Sequence, residues 1–127
     1  MREILFRGKR VGSEEWVEGF YLTSPEFDNQ EIAVITTDRP RNPYYVSKET
    51  VGQYTGLTDK NGTKIFEGDI VKGAWNTILV IYYDDCYTQF RAKHKWGENE
   101  ISYYGDTNKL EVIGNIHDNP ELLKGGE

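Results

Sequence analysis

The segment from Gln53 to Phe66 constrains the chain most. Tyr54, Thr55, Leu57 and Thr58 favour an extended backbone, Asp59-Lys60-Asn61-Gly62 follows, and Ile65 and Phe66 resume an apolar pattern. Asp and Asn side chains fold back onto their own main chain, and Gly tolerates positive φ. This order therefore predicts a type I turn, ending on Gly62, between two antiparallel strands. Glu67-Gly68-Asp69 predicts a second tight turn, after which Ile70-Val71-Lys72 resumes a strand.

The rest of the chain repeats the theme. Period-two or continuous apolar patterns predict strands over Glu3–Lys9, Trp16–Leu22 and Glu31–Thr37. They also predict strands over Thr77–Tyr83, Tyr87–Lys93, Glu100–Tyr104 and Leu110–Ile116, with Gly114 at a bulge. Pro40 and Pro43 make 38–43 a loop, because proline gives no donor to a ladder. Ser47 caps a single helical turn over 47–50. Asn119 caps a short terminal helix with Pro120 at its first position. Composition agrees: nine Tyr, five Phe and three Trp stand against alanines at Ala33, Ala74 and Ala92 only. Helix formers are scarce and strand formers plentiful.

The expected fold is mostly β. An N-terminal antiparallel β-layer covers 1–46, and a small SH3-like β-barrel with a short terminal helix covers 47–127. The boundary near 38–50 is weakly marked and equally compatible with one continuous domain.

The net charge of −6 is uneven. Residues 1–64 carry nine Lys/Arg and ten Asp/Glu, whereas residues 65–127 carry six and eleven. Such an acidic second half does not suit non-specific binding along a phosphate backbone. The single cysteine, Cys86, allows no intrachain disulfide. No apolar stretch reaches bilayer length, and Ile4-Leu5-Phe6 is too short for a signal-peptide core. A cytoplasmic protein is expected.

Three blocks resemble the YopX family of phage and prophage proteins. Arg2–Arg10 with Glu15–Gly19 forms the first. The second runs from Glu49 to Gly62 and continues over Lys64–Val71. Glu111–Leu123 is the third. They lie in family order, and the middle block is long and specific. The resemblance implies a phage or prophage origin, hence a bacterial host cell, and a β-rich fold. It transfers no catalytic residue. Its motif positions are Gln53, Tyr54, Gly56, Leu57, Asp59, Asn61, Gly62, Gly68, Asp69, Gly114, Asn115 and Pro120. They read as structural: glycines for turns and bulges, polar groups bonding the main chain.

Asp59-Lys60-Asn61-Gly62 resembles the start of a calcium loop, but the closing Glu would fall on Ile70. His94, His117 and Cys86 lack ligand spacing, so neither metal nor other cofactor is expected. Asp84 and Asp85 are neighbours that point to opposite sides of an extended chain, and they read as a turn. Cys86 with a histidine would make a hydrolase only if the fold brought them together. The better functional rival is nucleic acid, through Arg7, Lys9, Arg10, Arg39 and Arg41 near Phe6, Trp16, Tyr44 and Tyr45. The leading expectation is a non-enzymatic module that self-associates or docks to a protein partner. Adjacent rings at Tyr44-Tyr45, Tyr82-Tyr83 and Tyr103-Tyr104 cannot all enter one core, and Tyr and Trp favour interfaces.

Overall fold

Alternating apolar side chains need a sheet with one covered face, and the chain builds two antiparallel sheets to supply it. The computed structural model describes residues 4–22, 32–36, 43–95, 97–101 and 109–124. Contacts divide the chain into two compact units, Met1–Tyr54 and Thr55–Glu127.

In the first unit β1 (Phe6–Lys9), β2 (Trp16–Leu22), β3 (Ile32–Thr36) and β4 (Tyr44–Ser47) form an antiparallel meander in the order β4-β3-β2-β1. The sheet curls on itself: Arg10, just past β1, bridges to Val46, and the Val11 N–H donates to the Tyr45 carbonyl at 3.0 Å. Partners directly opposite in register share a face. Ala33 with Val46, and Ile35 with Tyr21 and Tyr44, therefore point to one side. Ala33, Ile35 and Val46 form the buried cluster there, with Phe6, Val17, Tyr21, Tyr44 and Val51 packed against it. The curl demands small residues on that side. A Cβ on Gly8 would stand 2.8 Å from Val46 Cγ2, and one on Gly19 would overlap the Thr36 carbonyl group.

β4 fills the stretch between the loop expected at 38–43 and the helical turn expected at 47–50, and its two tyrosines follow Pro43 immediately. Cross-strand pairing with β3 decides the conformation. After it, Lys48–Thr50 forms a 3-10 turn, but Ser47 makes no side-chain cap. Thr50 takes that role from the other end: its hydroxyl donates to the Ser47 carbonyl at 2.6 Å and accepts the Lys9 N–H at 2.9 Å.

β5 (Gly52–Thr58) runs through the division between the units. Its start pairs with β1, Phe6 opposite Gln53 and Arg7 opposite Gly52. Its end, in the second unit, neighbours β6 (Lys64–Phe66). There the buried Thr55 hydroxyl donates to the Ile65 carbonyl at 2.8 Å, and Gly56 takes φ +90.

The second unit holds a five-stranded sheet, β10-β9-β8-β7-β11. Its strands are β7 (Asp69–Lys72), β8 (Ile78–Asp84), β9 (Gln89–His94), β10 (Gly97–Glu100) and β11 (Glu111–Asn115). A 3-10 turn spans Ala74–Asn76, and α1 (Glu121–Lys124) is the one α-helix among the described residues. Ile65, Val71, Leu79, Ile81, Ala92, Ile101 and Leu110 form its core. β10 occupies Gly97–Glu100 rather than the expected Glu100–Tyr104. Its polar sequence carries no strand signal, and pairing with β9 holds it extended. Ile101 already belongs to a 3-10 turn, and residues 102–104 lie outside the described set. The bulge at Gly114 is present as a register shift between Val112 and Gly114. Asn119 Oδ1 would stand 2.6 Å from a Cβ at Gly114.

The turn after β5 forms as its residues predict. The Gly62 N–H donates to the Asp59 carbonyl at 3.0 Å, with Gly62 at φ +82. Gly62→Ala should therefore cost about 1 kcal/mol, because alanine resists that φ. Lys60→Ala should change stability by less than about 0.5 kcal/mol. Its ion pair to Glu111, at 3.7 Å, is solvent-exposed and worth little. Urea unfolding midpoints check both, and equal effects at the two sites would contradict this turn.

Candidate functional site

Two side-chain arrangements could meet a ligand, and each follows from register. On the first sheet, the face opposite the core cluster carries Arg7 across from Glu18 and Lys9 across from Trp16. Phe20 lies across from Thr36, and Tyr45 across from Val34, on the same face. The Arg7 guanidinium lies 4.7 Å from the Trp16 ring centroid. Phe20 and Tyr45 are 55% and 52% exposed, whereas Val34 and Thr36 between them are buried. The face thus offers two half-exposed rings, a third ring stacked on a cation, and a lysine.

The other basic residues read from sequence are placed differently. Arg10 leaves the strand, stacks 5.0 Å from the Tyr44 ring and pairs with Glu15 at 3.3 Å. Phe6 points to the core side, 5.5 Å from Tyr21. Arg39 and Arg41 lie outside the described residues. Phe20 was not singled out in the sequence. Its signal was there in the alternation of Trp16, Glu18 and Phe20 along one strand.

On the second sheet a polar network covers the face opposite the core. Tyr82 sits across from Arg91, and Glu98 across from Lys93. Arg91 is 8% exposed; its Nη1 donates to Gln89 Oε1 at 2.6 Å and its guanidinium stacks 4.3 Å from Tyr87. Its Nε lies 3.9 Å from Asp84 Oδ2, an ion-pair separation but too long for a hydrogen bond. Lys93 Nζ lies 5.0 Å from the Tyr82 ring. Burial, then the hydrogen bond with Glu98, push the Tyr82 hydroxyl up to about 12. It stays protonated near neutrality and is available there as a hydrogen-bond donor.

The acidic positions serve the backbone. Asp59 is buried, and its Oδ1 accepts the Asn61 and Thr63 N–H groups at 2.8 and 2.9 Å. Its Oδ2 accepts the Val112 N–H at 2.9 Å, which ties the turn to β11. Burial alone would raise its pKa. The donors of Val112, Thr63 and Asn61, aided by Lys60, outweigh that and hold it below 3.8. N–H groups aimed at both oxygens face the carboxylate as a cation would, and they occupy the start of the calcium-like motif. Asp69, 1% exposed, accepts the Phe66 N–H at 2.7 Å and closes the Gly68 turn. Gly68, at φ +92, donates to the Ile81 carbonyl at 2.8 Å and accepts from Ile116 at 2.9 Å. Asn115 Oδ1 accepts the His117 and Asp118 N–H groups at 3.0 and 2.9 Å.

Cys86 is exposed in the β8–β9 turn, where Asp84 Oδ1 accepts its N–H at 2.8 Å. Among the described residues no three His, Cys, Asp or Glu side chains are grouped to hold a metal ion. Nor is any helix among them long and apolar enough to cross a membrane.

These turns, at Asp59, Gly68 and Asn115, fall within a single family pattern: the model of YopX protein matches residues 5–124. The chain belongs to the YopX family. A crystal structure of protein EF1440 from Enterococcus faecalis is similar over 97% of this chain and 99% of that one. The two share 26% identity with a TM-score of 0.64. No curated protein matches the chain.

Proposed function

We propose that this YopX-family chain is a phage or prophage accessory protein of the bacterial cytoplasm that works by binding rather than by chemistry. It self-associates or docks to a protein partner through the first sheet, on the face that carries Phe20 and Tyr45. The observation that carries this is the pair of half-exposed rings on one sheet face. Rings of this kind supply interface area at little entropic cost, and an exposed apolar face favours cover by a partner. The remaining motif residues are read as the means of holding the turns. The order of the second sheet, a meander from β7 to β10 with β11 returning beside β7, supports an SH3-like relationship.

Light scattering across micromolar concentrations tests self-association. The expected result is a mass that rises with concentration; a monomer throughout would remove that form of the proposal. A second reading has one specific observation behind it: Arg7, Lys9 and Trp16 share the face with Phe20 and Tyr45. Single-stranded nucleic acid would use such cations and rings together. Mobility-shift titration at low and physiological salt separates the two. The protein-binding reading expects no shift at physiological salt.

A further inference from the structure

We propose that Asn61 is a site of spontaneous deamidation whose reactivity is gated by the Asp59 turn. Asn61-Gly62 is the only Asn-Gly step in the chain. Asn61 is exposed, and a Cβ on Gly62 would meet nothing within 4 Å. The residue that follows the amide thus brings no side chain of its own, and the space where one would stand is open. In the reaction the Gly62 nitrogen attacks Asn61 Cγ and gives up its proton. The Cγ–N bond of the side-chain amide breaks, and ammonia leaves. The product is a five-membered succinimide. Water then opens it at either carbonyl, leaving aspartate or isoaspartate. Water is the only co-reactant, and nothing is oxidised or reduced.

The fold opposes this step at its first atom. The attacking nitrogen donates its proton to the Asp59 carbonyl at 3.0 Å. The neighbouring N–H groups of Asn61 and Thr63 are both held by Asp59 Oδ1, and the Asp59 N–H donates to the Thr63 carbonyl at 2.8 Å. Ring closure must rotate Asn61 and Gly62 out of this arrangement. Reaction thus proceeds from the locally opened turn, at a rate scaled down by the population of that state. The product also prevents the turn from re-forming. Isoaspartate inserts a methylene into the main chain between the two donors to Asp59 Oδ1. Either product adds a carboxylate beside one that is already ionised. The tie from Asp59 to Val112 on β11 weakens in consequence.

The test is peptide mapping of position 61 in the full chain, incubated in mildly alkaline buffer with and without denaturing guanidinium chloride. The unfolded chain should deamidate at least about tenfold faster than the folded one, because opening must precede attack. Equal rates would overturn the gate, and no reaction at Asn61 in the unfolded chain would overturn the site. Asp59→Asn, assayed where circular dichroism shows it folded, should deamidate faster than wild type; an unchanged rate contradicts the role given to Asp59. Refolded isoaspartate-rich protein should melt lower than unmodified protein, and an identical melting temperature contradicts the link to β11.

Discussion

Asp59→Ala should lower unfolding stability by about 3 kcal/mol, the largest loss expected from any single polar side chain here. Asp59 is 6% exposed, and its carboxylate accepts from three main-chain donors on two segments, the turn at Asn61 and Thr63 and strand β11 at Val112. Removing it leaves those N–H groups without their acceptor in a partly buried place, where water replaces it poorly. Asp59→Asn should fall between, since one oxygen remains and an NH2 group then faces a donor. The same geometry sets a pH dependence. Folding holds this carboxyl below its ordinary value of 3.8. Its stabilisation is complete above that value and is lost as pH falls through the lower, folded one. Wild type should therefore lose stability on acidification below about pH 4, and the Asn variant should lack that component. Urea titrations at stepped pH would show it; parallel curves for the two proteins would contradict it.

Gly19→Ala should cost about 3 kcal/mol for a different reason: overpacking against backbone. Its φ does not require glycine. A Cβ there would overlap the Thr36 carbonyl oxygen, 2.9 Å from its carbonyl carbon, and would crowd Ile35 Cγ2 at 3.1 Å. A flexible side chain could turn away, but a strand carbonyl moves only with its sheet. Gly97→Ala, on β10, is the control. Nothing lies within 4 Å of a Cβ at that position, so its effect should stay within about 0.5 kcal/mol. Chemical denaturation of the three proteins decides the matter. Similar midpoints for both variants would show that the curl of the first sheet is looser than described.

These cases mark how far the sequence could be read. Trp16–Leu22 and the turn ending on Gly62 rest on local rules, and both stand where those rules place them. β10 does not: Gly97-Glu98-Asn99-Glu100 has no strand propensity and is extended by its neighbour. Asp59 was legible as a turn residue, but its bond to Val112 spans 53 positions, which no local pattern encodes. Gly19 looked like any strand glycine until the approach of Thr36 gave it a reason. In the candidate site, Arg7, Lys9, Trp16 and Tyr45 were each visible in sequence. Their common face, and the inclusion of Phe20, needed the registers of three strand pairs. Arg10 was misleading on its own, because the chain leaves β1 there and stacks the side chain on Tyr44.

The binding proposal is tested most directly by a double variant, Phe20→Ser with Tyr45→Ser. Both rings are about half exposed, so their loss should leave the fold intact while removing the two exposed rings from the face. Light scattering of wild type and variant at matched concentrations is the measurement, with urea midpoints confirming equal stability. The expected result is a wild-type mass that grows with concentration and a variant that remains monomeric. Identical masses for the two proteins at every concentration would contradict assembly through this face.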